Sequence, residues 1–181
     1  DLTFKDNARQ RIQRTRAEIT RMIATGQNWD TTARNLADQF ERGHNDALRV
    51  VRTETARNYT QGTIAGFERA EALGINIVRT WVATLDQNTR PEHAELDGTD
   101  ADEDGLFWIN GESAPGPGLF ADPSMSVNCR CAVSARIAGL KPSLRRENVD
   151  EKEIIPYQTW TEWAESKGWS ESSGWPQVSK V

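Results

Sequence analysis

The chain contains two cysteines, Cys129 and Cys131, which are separated by one residue. In an extended segment alternate side chains face the same way, so both sulfurs could bind one ion. A zinc site needs four ligands, and His93 with an acid such as Asp86 could complete the set. Buried free cysteines also serve as small apolar residues. We therefore expect both thiols to stay reduced without a catalytic metal, and zinc bound through His93, Cys129 and Cys131 is the alternative.

A group of polar residues that could support acid–base chemistry precedes the cysteines. Arg90 and His93 are three residues apart on a predicted short helix, so they share a face. Asp86 could orient His93 or pair with Arg90, and such a set can support hydrolysis. No serine or cysteine nucleophile has an obvious place beside them. A structural hydrogen-bonded cluster is therefore favoured over a catalytic one.

The segment that begins at Asp100 is rich in carboxylates. Asp100, Asp102 and Asp104, with Gly105 at the sixth position, match the start of an EF-hand-type calcium loop. The twelfth position holds Gly111 instead of the expected bidentate glutamate. A solvated acidic turn is therefore favoured, and calcium bound through Asp100, Asp102 and Asp104 is the alternative.

Arg52 and Glu54 lie two residues apart on a predicted long helix. Residues at this spacing point to different sides of a helix, so they cannot form one local site. We expect each of them to make an ion pair with another element.

The apolar side chains of residues 1–74 recur every three or four positions, which predicts three helices. Asp30 is expected to cap the second helix. The third helix carries Arg52 and Glu54, and we expect it to end where Gly74 takes the left-handed conformation.

The period of the apolar pattern changes after residue 74. Residues 75–85, 107–109 and 131–137 have the composition of short strands, which we expect in one small antiparallel sheet. Thr89 and Glu92 have the spacing of a capping box, so they predict a short helix. The predicted fold class is α+β.

The last part of the chain holds four of the seven tryptophans among polar residues, namely Trp160, Trp163, Trp169 and Trp175. A segment of this composition cannot build a core of its own. Exposed tryptophans are costly, so the segment is expected to wrap the body or to dock on a partner. The predicted organisation is a helical part (1–74), a small α+β part (75–140) and a docking arm or wrap (141–181).

The 181 residues carry a net charge of −5 that is unevenly distributed. Residues 1–85 hold 13 Lys and Arg against 10 Asp and Glu, whereas residues 86–181 hold 9 against 17. This asymmetry suggests different partners for the two parts. No apolar run approaches the roughly 20 residues of a bilayer span, so we expect no membrane partner.

The motifs follow one another in a characteristic order over about residues 45–138. They comprise Arg52, Glu54, Trp81, Asp86, Arg90, His93, Asp97, Gly98, Asn128, Cys129, Arg130 and Cys131. This ordered set resembles the Mu F-like head-morphogenesis family of tailed bacteriophages, the minor head or minor capsid proteins. The resemblance implies that these residues form a structural motif.

The resemblance also implies a component of the virion, inside the head or near the portal, that is made in the host cytoplasm. The implied partners are the portal protein and the major capsid or scaffolding proteins, with phage DNA as a further candidate. The implied role is head assembly, with DNA packaging or delivery as an extension, and no catalytic activity is implied. The alternative is a phage-borne metal-dependent nuclease or toxin-type enzyme that uses Asp86, Arg90, His93, Cys129 and Cys131.

Overall fold

Helices form the first part of the structure and short antiparallel strands prevail in the second, which confirms the predicted α+β class. The computed structural model describes residues 2–40, 43–149 and 152–169, and for residues 2–8, 39 and 40 it describes the backbone alone. No described helix is long and apolar enough to cross a lipid bilayer.

The chain divides into two units, residues 1–58 and residues 59–181. This division differs from the three predicted parts, since it falls inside the third helix and leaves the C-terminal segment in the second unit. The reason lies in the last turns of that helix, where Ile64 and Phe67 pack with the core of the second unit.

The first unit is built from α1 (Leu2–Thr25), α2 (Trp29–Phe40) and the first turns of α3 (His44–Ala72). At the start of α2, Oδ1 of Asn28 accepts a hydrogen bond from the backbone N–H of Asp30 at 2.7 Å. The prediction that Asp30 caps this helix is therefore wrong, because α2 begins one residue earlier and Asp30 lies within its first turn. The helices meet in an apolar core of Ile19, Met22, Ala33, Leu36, Ala37, Ala47 and Val51.

The end of α3 agrees with the sequence-based prediction. Gly74 has a φ of +84°, in the left-handed region that glycine adopts at little steric cost. The backbone N–H of Ile75 donates to the carbonyl oxygen of Ala70 at 3.1 Å and closes the last turn.

The described part of the second unit contains the end of α3 and nine shorter elements. In chain order these are β1 (Ile77–Val82), α4 (Pro91–Glu95), β2 (Phe107–Ile109), β3 (Glu112–Ala114), α5 (Pro123–Ser126), β4 (Ala132–Ile137), β5 (Leu144–Arg146), β6 (Ile154–Pro156) and α6 (Trp160–Ser166). The strands form three antiparallel pairs, β1 with β4, β2 with β3 and β5 with β6.

The pairing of β2 corrects the prediction of one sheet. β1 and β4, two of the predicted strands, pair with each other, and Trp81 lies opposite Val133. β2 instead pairs with β3, because Asn110 and Gly111 between them have φ values of +52° and +81°. Two successive left-handed residues form the tight turn that closes a β-hairpin.

The predicted capping box at the start of α4 is also wrong. The helix begins at Pro91 after Arg90, and no side chain caps it. Thr89 instead donates its hydroxyl to the carbonyl oxygen of Thr84 at 2.6 Å. A capping box occurs at α6, where Thr159 and Glu162 bond each other's backbone N–H groups.

The described part of the C-terminal segment belongs to the core of the second unit. Trp160 and Trp163 are 2% and 0% exposed, and they join a cluster that contains Trp81 and Phe107. The segment therefore wraps the body, and this geometry does not favour a separate docking arm. Trp169 packs edge-on against Trp163 at 5.3 Å between ring centroids, whereas Trp175 lies outside the described residues.

The carboxylate of Asp97 connects the segment after α4 to three other parts of the second unit. It accepts hydrogen bonds from the backbone N–H groups of Ala83 after β1 and of Trp160 in α6, each at 2.6 Å. It also forms a two-pronged pair with the guanidinium of Arg145 on β5, at 2.6 and 2.9 Å. The side chains of Asp97 and Arg145 are 0% and 6% exposed, so this pair is removed from water.

We expect Asp97→Asn to destabilise the second unit by about 3–5 kcal/mol, because it leaves a buried guanidinium without its counter-charge. The free energy of unfolding in urea measures the effect. The matched control is Asp104→Asn on the exposed acidic turn, with an expected change within about 0.5 kcal/mol. Equal effects of the two substitutions would contradict the central role of Asp97.

We expect Trp163→Ala to cost about 3–5 kcal/mol of unfolding free energy, because it leaves a large cavity and removes the indole N–H bonded to Glu147. Trp108→Ala is the control, since this tryptophan is 57% exposed. If thermal and urea unfolding were as sensitive to Trp108 as to Trp163, the C-terminal helix would not be part of the core.

Candidate functional site

His93, Cys129 and Cys131 come together in the second unit from two distant segments. His93 lies on α4, whereas the two cysteines lie between α5 and β4. Asn128 precedes them with a φ of +55°, a left-handed conformation that asparagine tolerates better than most residues. This turn leads the chain from α5 into β4.

The donor atoms of these three side chains form a tight cluster. Nδ1 of His93 lies 3.5 Å from Sγ of Cys129 and 3.4 Å from Sγ of Cys131. His93 and Cys129 are 1% and 4% exposed, and both cysteines are free of disulfide bonds. Among the described residues, this is the one group of three histidine, cysteine or acidic side chains that could hold a metal ion.

The two thiols have strongly different proton affinities. A hydrogen bond from Cys131 and the neighbouring His93 together lower the pKa of Cys129 to about 4, against the opposing effect of burial. The pKa of Cys131 is raised, because its hydrogen bond to Cys129 and its burial both favour the neutral thiol. Cys129 is therefore the more acidic of the two thiols.

The imidazole is held within the aromatic core. The ring of His93 packs edge-on against Trp81, with 5.5 Å between the ring centroids. Trp81 is itself fully buried and contacts Phe107 and Phe120. The cluster is therefore surrounded by core side chains.

Asp86 does not join the cluster, and the prediction that it pairs with His93 or Arg90 is wrong. Its carboxylate instead binds the guanidinium of Arg130, with one contact at 2.7 Å, and the side-chain amide of Asn148 at 2.9 Å. Burial raises the pKa of Asp86, but the hydrogen bonds from Arg130 and Asn148 outweigh it, so the net pKa is lowered. Asp86 thus acts as a buried anchor for two later segments.

Arg90 also has a structural contact in place of a catalytic one. Its guanidinium donates to the backbone carbonyl of Val127, the residue that follows α5. This contact joins the start of α4 to the turn that carries the cysteines. The structure therefore does not bring Asp86, Arg90 and His93 together as a set for hydrolysis.

The acidic turn uses two of its carboxylates in contacts with the protein. Asp100 accepts from the hydroxyl of Thr80 at 2.7 Å and pairs with Arg136. Asp102 accepts from the backbone N–H of Leu106 at 2.8 Å and from the indole N–H of Trp108 at 2.6 Å. Both carboxylates therefore already have hydrogen-bond partners within the protein.

The remaining motif residues lie in two places. Arg52 and Glu54 lie on α3 in the first unit. The carboxylate of Glu54 pairs with the guanidinium of Arg57 on the same helix at 3.0 Å. The expectation that Glu54 pairs with another element is therefore wrong. Gly98 follows Asp97 with a φ of +78°, and its N–H donates to the carbonyl of Trp81 at 2.9 Å. A Cβ at Gly98 would lie only 3.2 Å from the side chain of Thr159.

Two partners of the motif residues were not predicted from the sequence, namely Arg145 and Asn148. Arg145 lies 48 positions after its partner Asp97, and Asn148 lies 62 positions after its partner Asp86. Neither residue has a local pattern that distinguishes it from a solvated polar residue.

A comparison with protein families gives one match, to the family described as Phage Mu protein F like protein, over residues 13–134. The range covers more than half of the chain and includes every motif residue from Arg52 to Cys131. No solved structure gives a significant match.

Two curated relatives match most of the chain. The NAD(+)–arginine ADP-ribosyltransferase EFV of Enterococcus faecalis is 41% identical over 149 residues, which are 80% of this chain and 30% of that enzyme. The minor head protein GP7 of Bacillus phage SPP1 is 30% identical over 167 residues, which are 86% of this chain and 54% of that protein. The chain thus spans about a third and about half of these relatives. The order of its motifs and the extent of the family match show that the chain belongs to the phage Mu protein F like family.

Proposed function

We propose that this chain is a non-enzymatic module of a minor head protein of a tailed bacteriophage, which acts in head assembly near the portal. The observation that carries the proposal is the 30% identity to a minor head protein over 86% of the chain. This match extends over parts of both units, so it is not limited to one isolated motif.

The geometry of the second unit supports a role without catalysis. A catalytic site needs its reactive groups around an open cleft. His93 and Cys129 are almost fully buried, and Asp86 and Arg90 are engaged by Arg130 and by a backbone carbonyl. A nuclease or toxin-type enzyme built on these residues would need His93 and Cys129 to be open to substrate, whereas both are buried.

The match to the ADP-ribosyltransferase is consistent with this chain being a module that occurs in longer proteins. The match covers 80% of this chain but only 30% of that enzyme, so most of the enzyme lies outside the shared part. The same segment thus occurs within two longer proteins with different names. We infer that the shared segment serves head assembly in the minor head protein, and that the transferase chemistry of the enzyme relative lies outside it.

The first unit is our proposed contact surface for the portal and for the capsid or scaffolding proteins, with phage DNA as a further partner. Arg11, Arg14 and Arg21 are exposed along α1, and their spacings of three and seven residues place them on one face. Guanidinium groups form planar, bidentate contacts with carboxylates and phosphates, so this face suits acidic protein surfaces and the DNA backbone.

We expect the chain to co-sediment with procapsids that contain portal and to be lost from shells assembled without portal. Replacing Arg11 and Arg14, which are three residues apart and share a face of α1, with Glu should weaken this association by reversing the charge of that face, whereas the control Arg69→Glu on α3 should leave it unchanged. Sedimentation followed by quantitative gel analysis measures the bound fraction. Equal binding to both kinds of shell, or to neither, would refute the proposed location.

We expect no transfer of ADP-ribose from labelled NAD⁺ to arginine-containing acceptor proteins by this chain. The reason is that the central residues of its candidate site, His93 and Cys129, are buried, whereas a dinucleotide needs an open cleft. The full-length enzyme relative is the positive control. Labelling that depends on the chain would show that the shared segment carries the transferase activity.

A further inference from the structure

The cluster of His93, Cys129 and Cys131 has a geometry that ordinary hydrogen bonding does not explain. Nδ1 of His93 lies at nearly equal distances from the two sulfurs, 3.5 and 3.4 Å. A ring nitrogen has either one proton or one lone pair in the ring plane, so it can serve one sulfur well but not two. A cation placed between the three atoms satisfies all of them at once.

The separations agree with those around a tetrahedral zinc ion. Zinc–sulfur bonds of about 2.3 Å and zinc–nitrogen bonds of about 2.0–2.1 Å place a nitrogen and a sulfur ligand about 3.6 Å apart. The two observed nitrogen–sulfur distances, 3.5 and 3.4 Å, lie close to this edge length. All three donor atoms lie within 4.8 Å of one another.

The chemistry of the donors selects the ion. Thiolate and imidazole ligands favour zinc over magnesium or calcium, which prefer oxygen. Two thiolates balance the charge of Zn²⁺, so the complex with a neutral His93 has no net charge, as a buried position requires. Asp86 is not available as a fourth ligand, because Arg130 and Asn148 bind its carboxylate.

We propose that Nδ1 of His93 and the Sγ atoms of Cys129 and Cys131 bind one zinc ion, which fixes α4 to the turn before β4. The described residues supply three ligands, and the fourth tetrahedral position is filled by a water molecule or another small donor. This inference replaces the sequence-based expectation of a metal-free pair, and it does not depend on the proposed role in the phage head. Because His93 and Cys129 are buried in the core, we expect the ion to stabilise the fold of the second unit.

The direct test is elemental analysis of the full chain, expressed without an affinity tag and purified under reducing conditions. We expect about one zinc per chain. His93→Gln and Cys131→Ser should lose the metal. His44→Gln is the matched control, because His44 is the other histidine of the chain and lies on α3 in the first unit, so its zinc content should be unchanged.

A second measurement does not require the variants to fold. Titration of the metal-free wild-type chain with Co²⁺ should produce sulfur-to-cobalt charge-transfer absorption and tetrahedral visible bands that saturate at one equivalent. Addition of zinc should abolish these bands, and a chelator should lower the melting temperature of the zinc-loaded chain.

Four results would each overturn the inference. The first is a chain without zinc that gives no cobalt–thiolate bands. The second is copper or iron in place of zinc, and the third is full zinc content in folded His93→Gln. The fourth is a disulfide between Cys129 and Cys131 in the freshly purified chain, detected by mass spectrometry.

Discussion

The second unit depends on one buried charge, that of Asp97. A carboxylate removed from water is tolerated only when its oxygens are fully hydrogen-bonded and its charge is balanced. Asp97 meets both requirements through two backbone N–H groups and the guanidinium of Arg145. Because these donors come from β1, β5 and α6, the carboxylate can be satisfied only when all three elements are in place. The same constraint requires the C-terminal helix to lie against the body, where Trp160 and Trp163 then complete the apolar core.

A second polar anchor supports the region around the cysteines. Asp86 holds Arg130, which lies between Cys129 and Cys131, and Arg90 holds the carbonyl of Val127 just before them. These contacts fix the backbone on both sides of the turn and thereby set the direction of the two sulfurs toward His93. Residues with the composition of a catalytic site thus serve to orient a buried cluster.

Features that depend on neighbouring residues could be predicted from the sequence. The α+β class, the presence of strands at β1 and β4, and the end of α3 at Gly74 follow from apolar periodicity and from the conformational freedom of glycine. The sequence also allowed a cluster of His93 with the two cysteines, as the alternative to two thiols without a metal, because cysteines in an extended Cys-x-Cys face the same way.

Features that depend on distant partners could not be predicted. Thr89 and Thr159 both precede a glutamate at capping-box spacing, yet only Thr159 forms the box, since Pro91 starts α4 and Thr89 bonds to Thr84. Likewise nothing near Asp86 in the sequence distinguishes Arg130 from Arg90 as its partner. The choice is made by the packing of β4 against β1, which only the assembled core determines.

The long separations within the second unit have a consequence for its folding during synthesis. Asp97 bonds to residues 48 and 63 positions later, whereas the first unit is made of helices with local hydrogen bonds. Closing long loops slows folding, and helices with local contacts form quickly. Residues up to Trp160 must therefore leave the ribosome before the core of the second unit can form. We expect α1 and α2, which precede them in the chain, to fold earlier during synthesis.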